Sequence, residues 1–264
     1  GRNAVHRVTP TIGNRVRVLT VLAYNSEPGV QLSKTARKTF FGKLYWYINQ
    51  FLNMIENNKG LKFYDNLDLT HSHNDEDLQV VYKEWAPAYD HDNDNLLGTV
   101  SQPLSVQIFQ EYIKDKSLRI IDVGCGTGLV GVELEKGGFS NFDGIDISQE
   151  MIDIAKQRGY SKLFIGSLND SLPCENNEYD AALCVGVFTH GHVGSDRLDE
   201  LIRIVKPGGI ICFTINEGVY DSYGFDSKIK NLESTNIWKI LEIRKSDYMT
   251  KKNIKGIYCV VKVI

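Results

Sequence analysis

The chain has 264 residues, of which 42% are hydrophobic and 24% charged, and its formal net charge is −3. Those proportions belong to an ordinary soluble protein with room for one large domain, or one domain and an appendage. They exclude a global basic field that would gather nucleic acid, and no run approaches the ~20 apolar residues that span a bilayer.

The N-terminus comes first. Gly1-Arg2-Asn3-Ala4-Val5-His6 opens without an initiator Met or a signal peptide, already in strand-like sequence. It reads as a cut inside a domain. Residues 5–8 and 15–24 read as two strands, joined by a turn with Pro10 and Gly13, so the pair forms a hairpin. Over residues 34–57, Phe40, Phe41, Leu44, Tyr45, Ile48, Phe51, Leu52 and Ile55 recur at helical spacing. That predicts a long amphipathic helix with an aromatic face. Residues 61–77 are polar and acidic and read as a linker. The five cysteines, Cys125, Cys174, Cys184, Cys212 and Cys259, are dispersed, odd in number and form no C-x-x-C. Reduced thiols in a cytoplasmic protein are expected, not a disulfide framework.

His6 and Arg15 resemble the last part of an Fe(II)/2-oxoglutarate dioxygenase barrel. In that family the final metal histidine precedes, by about nine residues, an arginine that pairs with the cosubstrate carboxylate; a guanidinium fork suits that pairing. The family's H-x-D/E pair would lie upstream of His6. His73-x-Asp75 matches the letters but follows His6 and sits in polar sequence. The resemblance therefore implies that residues 1–60 are a remnant, with His6 and Arg15 left from an incomplete iron site. The aromatic helix would then pack on the rest of that oxygenase. The plainer reading of His6 is a structural strand histidine.

From residue 78 the pattern changes. Tyr82, Trp85, Tyr89 and Asp90 are spaced as Y-x-x-W-x-x-x-Y-D, and a helix is predicted over 104–113. An apolar run, 118–123, then stops at Gly124-Cys125-Gly126-Thr127-Gly128, and helical sequence follows over 129–136. Strand, glycine turn and helix in that order present backbone N–H groups to a nucleotide-like ligand. Residues 141–148 read as a second strand. Asp146 stands at its tip, eighteen residues past Gly128, where a carboxylate can accept ribose hydroxyls. Asp143 competes but falls before the apolar end of the strand. Ser148 caps a helix over 149–158. Residues 162–168 form a third strand, and 179–185 a fourth that begins at Asp180, read as structural. A loop over 186–193 carries His190 and His192. Either can deprotonate an acceptor, orient it, or serve the loop alone. A helix over 196–205, a Lys206-Pro207-Gly208-Gly209 turn and a strand over 210–214 follow. The polar stretch 216–235 holds a short helix, and 236–243 and 256–263 read as strands six and seven.

Taken together, Asp122 before G-x-G-x-G, the run Asp146 to Ala155 (D-x-S-x-x-M-I-x-x-A), Leu172-Pro173 and K-P-G-G resemble class I S-adenosylmethionine-dependent methyltransferases. The run 185–193 is similar to the Williams–Beuren-region methyltransferase-like group. The resemblance covers residues 78–264. It implies an α/β fold, a Rossmann-like seven-stranded sheet with helices on both faces. It also implies S-adenosylmethionine as cofactor and a small-molecule acceptor with an N, O or S nucleophile. In that reading Gly124, Gly126 and Gly128 admit the methionine part, Asp146 meets the ribose, and Ser167 and Leu168 the adenine. Asp122, Cys125, Ile147 and Val185 are further cofactor-binding positions. Many members carry an acid at the Ser167 position. Tyr82 and Tyr89 belong to a lid. Three rivals stay open: an NAD oxidoreductase, whose G-x-G-x-x-G spacing does not run from Gly124, residue 129 being Leu; a non-catalytic cofactor-binding module; and a fragment of a bifunctional oxygenase–methyltransferase.

Overall fold

The computed structural model describes residues 74–264, all within one unit of the chain, Asn57–Ile264. The expected hairpin, the aromatic helix, His6 and Arg15 lie outside the described residues. Seven strands build one sheet: β1 (Ile120–Val123), β2 (Phe142–Asp146), β3 (Leu163–Ile165), β4 (Tyr179–Phe188), β5 (Val205–Asn216), β6 (Trp238–Met249) and β7 (Ile254–Val263). Their order is β3-β2-β1-β4-β5-β7-β6. The first five run parallel, and β7 pairs antiparallel with both β5 and β6. β1 lies between β2 and β4, so the order reverses there. The crevice beyond its carboxyl end is where such sheets bind ligands.

Strand alternation sorts the core into two layers. Ile121, Val123, Ala182, Cys184 and Phe213 point one way, to helices α6 (Leu198–Ile204) and α7 (Phe225–Ser234). Ile120, Ala181, Leu183 and Cys212 point the other way, to α3 (Ser101–Tyr112) and α4 (Leu129–Lys136). Both faces of the parallel strands are covered, which is why they read as near-continuous apolar runs. Two further helices, α1 (Asp75–Trp85) and α2 (Tyr89–Asp92), precede this core, and α5 (Gln149–Ala155) follows β2.

Several boundaries differ from the sequence reading, each for a local reason. α1 starts at Asp75, inside the expected linker. Asn74 caps it by accepting the Asp77 N–H at 2.8 Å, and Asp75, Glu76 and Asp77 suit the positive end of the helix. The K-P-G-G segment belongs to β5 rather than preceding it. Val205 pairs with Tyr179, and the ladder slips before Ala181 pairs with Ile210. Gly209 is needed there, since a Cβ would stand 2.6 Å from the Asp180 carbonyl oxygen. β4 runs on to Phe188 past an irregularity at Gly186, whose φ is +85°. β6 continues to Met249, because an outermost strand alternates polar residues that hide it from an apolar search. The polar stretch after β5 contains α7, ten residues long.

The competing acid is structural. Asp143 accepts from the Arg119 guanidinium at 2.9 Å and the Tyr179 hydroxyl at 3.0 Å. Asp180 accepts the Arg119 N–H at 2.9 Å and meets Lys206 Nζ at 2.6 Å.

Tyr160 ties the glycine turn to the sheet. Its hydroxyl accepts the Gly131 N–H at 3.1 Å and donates to Asp122 Oδ2 at 2.6 Å. Its ring fills space left by Gly128, Gly131 and Gly144, where added Cβ atoms would lie 2.9, 2.5 and 2.7 Å from it. On an exposed helix Gly→Ala gains about 1 kcal/mol. Gly131→Ala is expected to lose stability instead, by ~1–3 kcal/mol, because the ring has to be displaced. A thermal melt above that of the wild type would refute the packing account.

Candidate active site

The glycine turn is held from below. The Gly124 and Cys125 N–H groups both donate to the Ile145 carbonyl, at 2.8 and 2.9 Å. The Gly126 N–H donates to Asp146 Oδ2 at 2.8 Å, and the Gly128 N–H to the Cys125 carbonyl at 2.8 Å. The expectation that these donors face the ligand is thus corrected: three of them are spent on β2 and one within the turn. Space, not donors, is what the turn offers. A Cβ on Gly126, whose φ is +53°, would meet nothing within 4 Å. One on Gly124 would lie 2.1 Å from Val187 Cγ2.

Above the turn lies a cleft of about 700 Å³, counting the part open to solvent. Gly124, Gly126, Asp146, Ile147, Ser167, Leu168, Val185, Tyr82, Tyr89 and His192 line it. Among the described residues, Asp75 and Asp146 are its only charged lining residues. A wall with two acids and no lysine or arginine, over a turn whose donors are occupied, does not suit a pyrophosphate. It suits a ligand with hydroxyl groups and positive charge.

Asp146 is the centre of this arrangement. It is buried, and its second oxygen accepts the Ser148 N–H at 2.9 Å. Burial pushes its carboxyl up, against the pull of the backbone donors from Ser148 and Gly126. Each oxygen keeps a further lone pair for a ligand hydroxyl. Ser167 lines the far side, its hydroxyl accepting the Asn169 N–H at 3.0 Å.

Four sequence candidates stand apart from the lining. Asp122 is wholly buried in β1, where its Oδ1 meets no hydrogen-bond partner, and burial raises its carboxyl to about 7. Cys125 faces inward, and burial pushes its thiol well up, which makes it a poor nucleophile. Gly128 is demanded by Tyr160 and by the Arg158 stem, which a Cβ would approach to 3.1 Å. His190 turns to Gly218, where a Cβ would lie 2.3 Å from its Nε2.

The two histidines therefore separate. The His190 carbonyl accepts from His192 Nδ1 at 2.8 Å. A carbonyl cannot donate, so Nδ1 carries a proton, and Nε2 lies 2.6 Å from the Tyr82 hydroxyl, from which a neutral ring accepts. Tyr82 stacks on Trp85 (centroids 6.3 Å apart) and meets Tyr89 and His192 edge-on. Sequence spacing found the aromatic residues of α1 but not what they touch. Val187, Gly166 and Asp75 also line the cleft, a place the sequence reading gave to none of them. Among the described residues there is no cluster of metal-ligating side chains, and no helix is long and apolar enough to cross a membrane.

Residues 121–213 match the family model described as a methyltransferase domain. Over 165 residues the chain is 33% identical to methyltransferase-like protein 27 of Homo sapiens, a match covering 60% of this chain and 66% of that protein. It is 27% identical over 126 residues to ubiquinone biosynthesis O-methyltransferase of Hydrogenovibrio crunogenus, covering 46% of this chain and 52% of that one. The chain thus spans just under two thirds of the first relative and about half of the second. Among solved structures, the cyclase SpnF matches with a TM-score of 0.57 at 16% identity, over 73% of this chain and 98% of that one. A methyltransferase of Thermotoga maritima, described as a possible histamine N-methyltransferase, gives 0.50 at 16% identity, over 70% and 98%. Residues 121–213 thus form a methyltransferase domain, and its cofactor is S-adenosylmethionine. Because a cyclase shares the fold, the reaction has to be argued from the site.

Proposed function

We propose that the protein moves the methyl group of S-adenosylmethionine to the hydroxyl oxygen of a small, neutral acceptor, with His192 as the base. The observation that carries this reading is the buried His192, whose Nε2 lies 2.6 Å from the Tyr82 phenolic hydroxyl inside the cleft. An acceptor hydroxyl taking the place of Tyr82 meets the same lone pair. When bound, the cofactor supplies a methyl group on a positively charged sulfur, which leaves as a neutral thioether. Asp146 holds the ribose hydroxyls, Ser167 and Leu168 lie at the adenine side, and Gly126 leaves room for the methionine part. As the acceptor oxygen takes the methyl carbon, its proton passes to His192 Nε2, and the His190 carbonyl keeps the ring in the required tautomer. Val187, Val193 and the aromatic residues of α1 exclude water. An acceptor carrying a carboxylate or phosphate would find acids and, among the described residues, no lysine or arginine in the lining. Much of the rate comes from proximity, with general-base help worth about 10²–10⁴-fold.

His192→Gln is expected to bind S-adenosylhomocysteine within about twofold of wild type and to lose methyl transfer by roughly 10²-fold or more. Transfer from labelled cofactor to a panel of neutral phenols, amines and thiols measures both the loss and the atom methylated. Undiminished transfer in the variant, or transfer to amines and thiols alone, would sink the assignment. We also infer from the His6–Arg15 spacing that residues 1–60 derive from a 2-oxoglutarate oxygenase domain. An H-x-D pair in the parent sequence upstream of His6 is the observation that tests it.

A further inference from the structure

One buried polar contact joins the glycine turn to the segment that carries Tyr89. The Thr127 hydroxyl, inside the turn and 1% exposed, donates to Asp90 Oδ1 at 2.6 Å. The Arg158 guanidinium ion-pairs with Asp90 through Oδ2 and also reaches Thr127 Oγ1 at 3.3 Å. Arg158 arrives from the end of α5 and lies over Gly128, the one glycine of the turn whose missing Cβ leaves room for its stem. Three separate elements therefore meet on one carboxylate. Asp90 follows Tyr89, which lines the cleft and packs edge-on against Trp85 with centroids 4.9 Å apart.

We propose that Asp90 is a positioning residue of the methyl-transfer site, gripped by Thr127 and Arg158 so that Tyr89 stays over the cofactor cleft until this ion pair opens. The inference rests on the reading that the cleft holds S-adenosylmethionine. It also gives Thr127 and Gly128 a task that the cofactor does not: one supplies the hydroxyl and the other the clearance for Arg158. The pair is partly sheltered, with side-chain exposures of 20% for Arg158 and 34% for Asp90. Its loss therefore counts for more than that of a surface pair and for less than that of a core charge.

The test compares wild type, Asp90→Asn, Arg158→Met and the double variant. Asparagine keeps an oxygen for Thr127 but gives up the charge. Backbone hydrogen exchange over residues 89–97, without ligand, is expected to quicken about tenfold or more in each single variant. The double variant should be no faster than the faster single, and the amides of β1 and β4 should keep their protection. Association and dissociation of S-adenosylhomocysteine are both expected to quicken by a similar factor, with the dissociation constant changing less than either rate. Unchanged exchange over 89–97, or equal quickening in β1 and β4, would overturn the proposal. So would additive effects in the double variant. Failure of the wild type to bind S-adenosylhomocysteine would count against the cofactor reading, while the exchange measurements would still decide the role of Asp90.

Discussion

Asp146→Ala is expected to weaken S-adenosylhomocysteine binding by about a hundredfold or more in calorimetric titration. Two losses add. The variant has no carboxylate to accept ligand hydroxyls, and charge-assisted hydrogen bonds of that kind are worth ~1.5–3 kcal/mol each. Two of them correspond to roughly 10²–10⁴ in affinity. The Gly126 and Ser148 N–H groups also lose the oxygens that hold them at 2.8 and 2.9 Å, so the floor of the cleft is no longer fixed. Asp143→Ala is the contrast on the same strand. It removes the partner of Arg119 and Tyr179 and should lower the melting temperature, yet leave the affinity nearly unchanged. Equal binding by wild type and Asp146→Ala would remove Asp146 from the cofactor site.

Asp122→Asn is expected to stabilise the protein at neutral pH. The Asp122 carboxyl ionises near 3.8 when unfolded and near 7 when folded, because burial opposes its charge and Asp146 adds to that opposition. Between those two values the unfolded chain releases a proton that the folded chain keeps. Stability therefore falls as pH rises through that interval and falls no further above it. The full loss is on the order of 4 kcal/mol, at about 1.4 kcal/mol per pH unit. An asparagine cannot ionise, and its side-chain oxygen can still accept the Tyr160 hydroxyl. The gain in melting temperature should thus be near zero at pH 4, grow to about pH 7 and stay level beyond. A difference independent of pH would show that the wild-type carboxylate is not the source of the cost.

The two acids illustrate what sequence order can and cannot reveal. The place of Asp146 in the cleft lining was legible because it stands at a strand tip beside a glycine turn. Asp122 stands nearer the same turn in sequence, two residues before Gly124, but side chains alternate along β1, and its own points into the packed layer beneath Tyr160. The seven strands were legible where apolar residues are continuous, in β1 and β4, and least so in β6, where only one side of each pair is covered. His190 and His192 look equivalent in sequence. Their separation depends on a backbone carbonyl and on Gly218, which lies 26 residues further along the chain. The Thr127–Asp90–Arg158 contact joins residues 37 and 68 positions apart. No local pattern encodes a meeting of that kind. Gly128, whose missing Cβ clears the Arg158 stem, is its one trace in the letters.

The sheet order also bears on how the chain is made. Of the seven strands, β7 is the last to be synthesised, yet it lies between β5 and β6. β6 has no other neighbour in the sheet, so residues 238–249 have no strand to pair with when they leave the ribosome. At ~5–20 residues per second, that interval is brief, but throughout it β5 keeps one open edge. The parallel half of the sheet, cleft included, can assemble first. Completion then takes the insertion of one strand between two that already exist. Crowded polysomes, where one nascent chain can pair with the next, are where that open edge is most exposed to error.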